Sequence, residues 1–129
     1  MVNQAERQAP SPLSPGRRVV VTYPLIDAQK IRDTAPHWAD RMLDLRRAEN
    51  WGFEVENHTD QSVAVHLIAS GRENPSSAGD VGVSVNVAAG TTEPMVTSYW
   101  MPWLGLRIIF AIAPTTGSIS IEGFVQEVF

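Results

Sequence analysis

The feature that most constrains the fold of this chain is an alternation of apolar and polar side chains that begins at Trp51. In 51–56, Trp, Phe and Val alternate with Gly and Glu. The same period returns in 62–67, and in 81–87 valine occupies every second position. Successive side chains of a β-strand point to opposite faces of a sheet, so this period predicts strands with one buried face and one solvated face.

Turn-forming residues separate these predicted strands. The Asn-His-Thr-Asp sequence at 57–60 is typical of a turn, and its shortness predicts a hairpin between the strands on either side. Residues 70–80 are polar and predict a long loop. An Ala-Gly turn at 89–90 leads into 91–98, which contains Pro94, and we therefore expect that strand at a sheet edge.

Residues 103–112 form the most apolar predicted strand. One face carries Leu104, Leu106, Ile108, Phe110 and Ile112, and the other carries Trp103, Gly105, Arg107, Ile109 and Ala111. The second face is too apolar for water, so we expect a second layer, the N-terminal segment or another subunit to cover it. The last strand begins near Ile119, and its alternation loses phase near Gly123, which predicts a β-bulge.

The N-terminal residues predict an extended arm followed by a single domain. Residues 1–16 contain three prolines and few apolar side chains, so they cannot bury enough surface to fold alone. We expect an arm over 1–16 and one domain over 17–129, with a β-branched first strand over 17–23. Pro24 is expected to end that strand, and Asp27 to cap a short helical turn.

The secondary structure of residues 34–49 can be interpreted either as a helix or as a strand. Trp38, Met42 and Leu45 recur at helical spacing, which favours an amphipathic helix. The short apolar segment 42–45, followed by two arginines, is equally typical of a strand and a turn. Taken with the other segments, the pattern predicts an all-β chain: an antiparallel β-sandwich or jelly roll of about eight strands with an extended N-terminal arm.

No motif predicts catalysis, a cofactor or a metal site. Cysteine is absent, no phosphate-binding glycine loop or serine elbow occurs, and His37, His58 and His66 lack metal-ligand spacing. Glu54 and Glu56 alternate with an apolar set, so a solvated sheet face explains them. We therefore predict a protein that is not an enzyme, with no catalytic, cofactor-binding or metal-ligating residues.

Charge and hydropathy bear on the class of partner. The net charge of −4 is unlike the basic surface of general nucleic-acid binders. No apolar run approaches the ~18 residues that span a bilayer, and residues 1–16 lack the pattern of a signal peptide. The sequence thus predicts that the partner is neither a nucleic acid nor a membrane. It also predicts that the protein resides in a cytoplasm-like compartment.

The aromatic cluster at 99–103 has three interpretations. Tyr99, Trp100 and Trp103 lie within five residues, together with Met101 and Pro102. These rings could close one end of the core, anchor a subunit interface, or stack on a sugar ring in a carbohydrate-binding module. The sequence leaves all three open.

Two segments resemble a known group of proteins. LDLRRAENWGFEVENHTDQSVAVHLIAS (43–70) and WMPWLGLRIIFAIAPTTGSISIEGF (100–124) look like small β-sandwich modules of tailed-phage virion proteins and related bacterial proteins. The resemblance implies a β-sandwich without catalytic residues, and a strand rather than a helix at 42–45. It also implies a capsid decoration or tail component, often trimeric.

These observations predict a structural virion protein, most simply a capsid decoration or cement protein that binds and stabilises the shell. We expect residues 9–23 to lie across a neighbour, and the partners to be other copies of the chain, as a homotrimer, and a capsid protein. The candidate interface residues are Arg17, Arg18, Val19, Val21, Tyr23, Tyr99, Trp100 and Trp103. A carbohydrate-binding module and a tail or baseplate component remain the alternatives, and the expected location is the virion, assembled in the host cytoplasm.

Overall fold

The computed structural model describes residues 17–75 and 78–129, and these residues form nine β-strands and no α-helix. The strands are β1 (Arg18–Gln29), β2 (His37–Trp38), β3 (Leu43–Asp44), β4 (Ala48–Asn57), β5 (Val63–Ser70), β6 (Gly79–Val87), β7 (Thr91–Val96), β8 (Trp103–Phe110) and β9 (Ile119–Val128). The all-β prediction is confirmed. The expected arm over 1–16 lies outside the described residues.

The strands form two antiparallel sheets. The first sheet has the order β1-β9-β4-β7, and the second has the order β2-β8-β5-β6, with β3 also paired to β8. Alternate side chains of both sheets point inward and make one shared apolar cluster, which gives the chain a β-sandwich-like core. β7 is an edge strand, as the proline at position 94 predicted.

β8 supplies the centre of this core. Leu104, Leu106, Ile108 and Phe110 are fully buried, as the alternation predicted. The same prediction is wrong for Ile112, which is 63% exposed, because β8 ends at Phe110 and the chain turns there.

The predicted hairpin between β4 and β5 is wrong, because the two strands belong to different sheets. The corner between them is built on the fully buried Asn57. Its Nδ2 donates to the carbonyl oxygens of Gln61 (2.8 Å), Val87 (3.0 Å) and Ala88 (3.4 Å). Its Oδ1 accepts from the backbone N–H (3.0 Å) and the hydroxyl (2.7 Å) of Thr59. We refer to this network as the Asn57 corner.

The helical interpretation of residues 34–49 is wrong. The segment runs along the edge of the second sheet as β2 and β3, both paired with β8. Backbone hydrogen bonds continue this pairing outside the two strands, from the N–H of Ala39 to Leu106 O (3.0 Å) and from that of Leu45 to Pro102 O (2.8 Å). Pairing with β8 therefore overrides the helical spacing of the apolar residues.

Met42 accounts for the helical spacing of the apolar residues in 34–49, because its side chain faces the outside of the second sheet. A Cβ at Gly105 would lie 3.2 Å from the Met42 side chain and 3.4 Å from Ile68. Met42 and Ile68 are buried there, apart from the main cluster between the sheets. Part of the second apolar face of β8 is thus covered by the chain itself.

β1 continues past Pro24, so the predicted strand end and the helical turn from Asp27 are both wrong. Pro24 lies opposite Glu122 of β9, and the register shifts between Pro24 and Ile26 and again before Gln29. An edge strand accepts a proline where the missing N–H would face away from its neighbour. The irregular second half of β1 follows from these shifts.

The bulge predicted near Gly123 is also wrong. Ile119, Ile121, Gly123 and Val125 all point inward, so the alternation of β9 is unbroken. A Cβ at Gly123 would lie 2.5 Å from Leu43 Cδ2 and 3.3 Å from Leu25 Cδ1. The glycine therefore allows the leucine of β3 to approach the backbone of the facing sheet.

We expect Gly123→Ala to lower the free energy of unfolding by about 1–3 kcal/mol, because the methyl group overpacks the contact with Leu43. Urea denaturation measures the change. Gly71→Ala is the matched control, since nothing lies within 4 Å of a Cβ there. Equal midpoints for the two variants would contradict the packing role of Gly123.

We expect Asn57→Asp to cost about 2 kcal/mol or more, because a carboxylate at this fully buried position cannot donate to the three carbonyl oxygens that the amide now binds. The control is Asn86→Asp, the same change at an exposed position of β6. Thermal unfolding of both variants at neutral pH checks this. Similar losses of Tm would mean that the Asn57 corner does not hold the fold.

Candidate assembly surface

The eight candidate interface residues fall in two places. Five of them lie at the start of β1 or just before it, and the other three lie between the end of β7 and the start of β8. In the first group, Arg17 and Arg18 are exposed, whereas Val19, Val21 and Tyr23 are half-buried. The half-buried set faces the second sheet, and the guanidinium of Arg41 lies 4.8 Å from the centre of the Tyr23 ring.

The first half of β1 is paired within its own chain. Arg17 and Phe129 exchange two backbone hydrogen bonds of 3.0 Å, and the antiparallel register continues from Arg18 opposite Val128 to Pro24 opposite Glu122. The expectation that residues 17–23 lie across a neighbour is therefore wrong for the side of β1 that faces β9. The rest of the expected arm lies outside the described residues.

The other side of β1 carries unpaired backbone groups. In an antiparallel pair, residues alternately turn their N–H and C=O toward the partner strand and away from it. Because Arg17 turns both groups toward β9, Arg18, Val20 and Thr22 turn theirs away. No strand of the described residues pairs with β1 on this side, which we call the open edge.

Val20 is the apolar centre of the open edge, and sequence reasoning missed it. Its side chain is 64% exposed on the outer face of the first sheet. The prediction selected Val19 and Val21, which instead point toward the core. The signal that could have found Val20 is the alternation within 18–23 combined with the position of β1 at an edge.

Arg18 is held beside the open edge by an ion pair. Its Nε lies 2.8 Å from Oε1 of Glu49, and its Nη2 donates to Oε2 at 3.2 Å. The hydrogen bond from Arg18 keeps the pKa of Glu49 below its usual value. Both side chains are exposed to solvent, so the pair contributes orientation more than stability.

A row of mainly apolar residues crosses the outer face of the first sheet from the open edge to β7. Thr22, Phe124, Gly52 and Val96 lie side by side on four neighbouring strands. Val96 is 81% exposed. A depression of about 300 Å³ lies beside this row, lined by Val20, Asn50, Trp51, Gly52, Phe124 and Gln126. Apolar surface thus continues from Val20 across the sheet.

The second group of candidate residues is only partly exposed. Tyr99 is 39% exposed and Trp100 is 50% exposed, while Trp103 is half-buried. Trp100 Nε1 donates to Leu45 O at 3.0 Å, which fixes one edge of the indole and leaves the ring at the surface. The guanidinium of Arg46 lies 5.0 Å from the centre of the Trp103 ring. One face of that ring is therefore already occupied.

A polar cluster on the outer face of the second sheet escaped the sequence reasoning. Arg107 Nη2 lies 2.9 Å from Asp80 Oδ2, and His66 Nδ1 lies 3.5 Å from the same oxygen. A hydrogen bond from the Gly82 N–H, with the nearby His66 and Arg107, keeps the pKa of Asp80 low. The cluster joins side chains of β5, β6 and β8, so we interpret it as a cross-strand contact that stabilises the second sheet.

Metal binding and membrane spanning receive no positive support from the described parts of the chain. Within residues 17–75 and 78–129, no three histidine, aspartate or glutamate side chains converge on a point that could hold a metal ion. The same residues include no helix that could span a bilayer.

Comparisons with known proteins do not place the chain in a family. No protein-family model matches it, and no curated protein matches it at a significant level.

Proposed function

We propose that this chain is a non-enzymatic structural protein of a virion, and specifically a capsid decoration protein. Its partners in this proposal are other copies of itself and a capsid protein, and it assembles in the host cytoplasm. The resemblance of 43–70 and 100–124 to virion modules supports this assignment. The observation that carries it is the exposed apolar surface at the end of β7, where Val96, Tyr99 and Trp100 follow one another closely.

We further propose that the β-sandwich-like core is a jelly roll. If β2 and β3 count as one interrupted strand, the chain pairs its first strand with its last (β1 with β9), and β2 and β3 with β8. β4 then pairs with β7, and β5 with β6. This is the pairing of one long hairpin rolled into two sheets, the arrangement that viral capsid domains and lectins use.

The exposed aromatic residues are better suited to contact with another protein than to permanent exposure to water. Tryptophan and tyrosine are the favoured anchors of protein interfaces, because a rigid ring buries a large area at small entropic cost. The hydrogen bond to Leu45 already holds the Trp100 ring in one orientation. A decoration protein binds in many copies on a symmetric lattice, so a modest contact of this kind suffices through avidity.

The carbohydrate-binding alternative receives less support. A sugar platform needs rings that are open on one face and arranged side by side. Arg46 occupies one face of Trp103, and Trp103 is half-buried, so only Tyr99 and Trp100 present a partly exposed ring. A glycan array with the purified chain addresses this alternative directly.

We expect the chain to sediment with virion particles produced from the genome that encodes it, and Trp100→Ala to reduce the bound fraction about tenfold. Immunoblots of particles from a density gradient measure the occupancy. Trp38→Ala is the matched control, because Trp38 is a similarly exposed tryptophan on the second sheet.

Three outcomes would count against the proposal or a part of it. Absence of the wild-type chain from the particles would overturn the virion assignment. Equal losses from the two tryptophan variants would keep the assignment and remove the aromatic segment from its contact surface. Binding to one class of glycan, without binding to particles, would favour the carbohydrate-binding alternative.

A further inference from the structure

We propose that two copies of this chain pair edge to edge along β1, antiparallel, with Val20 on the twofold axis. The inference rests on the proposed function in so far as that function requires contacts between copies. It names the surface, the partner and the register of one such contact. The partner is a second copy of the chain, and the first sheets of the two copies join into one continuous sheet.

The open edge of β1 differs from the other sheet edges among the described residues. β7 carries Pro94, and β6 contains Gly82 with a φ of 78° beside a shift in its register with β5. β2 and β3 are two residues each. Such interruptions prevent strands from pairing edge to edge. β1 runs in regular register from 18 to 23 without any of them, and its own proline stands only at position 24.

The backbone groups at this edge form a self-complementary set. Arg18, Val20 and Thr22 each direct one N–H and one C=O away from β9. In an antiparallel pair centred on Val20, the two Val20 residues face each other, and Arg18 faces Thr22 of the second copy. The arrangement makes about six hydrogen bonds, because each facing pair of this kind exchanges two.

The ends of this segment fit the same register. Pro24 is the next residue whose N–H would face outward, and it has none. Backbone pairing therefore stops after Thr22 in each copy, and symmetry places the other end at Arg18. The window is centred on Val20, with two residues on each side of it.

The side chains on the outer face are also compatible with this pairing. Val20, which is largely exposed in the single chain, packs against Val20 of the second copy. Arg18 lies opposite a threonine, so no like charges oppose each other directly. The ion pair with Glu49 draws the Arg18 side chain toward β4 and away from the axis. An isologous contact of this kind closes at two copies.

The test measures the mass of the full-length chain by sedimentation equilibrium and the exchange of its backbone amides. We expect a species of twice the 14.2 kDa of one chain. The amides of Arg18, Val20 and Thr22 should exchange more slowly as protein concentration rises. Val20→Pro removes only an N–H that faces away from β9, so the domain folds while the dissociation constant rises at least tenfold.

Two further variants test whether a weaker dimer results from blocking the open edge. Val20→Lys blocks the same edge without a proline and should weaken the dimer to a similar degree. Ile112→Lys is the matched control, because it places the same charge at another β-branched residue of nearly equal exposure, which lies after the end of β8 and outside the first sheet. This control should leave the dimer unchanged.

Several results would overturn the pairing. A monomer at all concentrations would mean that the edge stays unpaired or is covered by residues 1–16 of its own chain. A trimer, or a dimer that both Val20 variants leave intact, would place the contact elsewhere. The pairing and the virion assignment can fail separately. Sedimentation with particles can be lost while the dimer persists, and the dimer can be absent while the chain still sediments with particles.

Discussion

Asn57 is the buried side chain on which the arrangement of the two sheets depends. Its amide binds the carbonyl oxygens of Gln61, Val87 and Ala88, and its oxygen accepts from Thr59. Thr59 and Gln61 lie in the connection that carries the chain into the second sheet at β5, whereas Val87 ends β6 and Ala88 begins the connection that leaves that sheet. One satisfied amide therefore fixes both crossings, and replacing it would leave several buried polar groups without partners.

The difference between the interrupted sheet edges and the regular edge of β1 connects this fold with its proposed role. Pro94, the kinked β6 and the two-residue strands β2 and β3 leave three edges poorly suited to further pairing. The open edge of β1 is regular, and an exposed valine stands at its centre. Since unpaired edges invite association, a chain that keeps one of them regular is suited to a controlled contact. In the proposed function, the aromatic segment after β7 is a separate surface that contacts the capsid protein.

Particular residues show how far sequence reasoning reached. The alternation of apolar side chains predicted β6 and the inner face of β8, because a half-buried strand imposes a two-residue period. Pro94 predicted the edge position of β7. For 34–49 the pattern left helix and strand open, and the helical alternative is wrong, since Met42 faces outward while Leu43 and Leu45 face the core. In the candidate site, Tyr99 and Trp100 were found from composition, and Val20 was missed because its importance comes from which side of β1 lacks a partner.

The sequence by itself determined the strand content, the apolar faces and the turn residues, because these depend on neighbours one to four positions apart. Only the tertiary structure decided that β4 and β5 lie in different sheets and that Gly123 sits against Leu43. It also decided that residues 18–23 pair with β9 on one side only. Such features depend on contacts between residues far apart in the chain, and a local pattern carries no information about which distant strand will supply the partner.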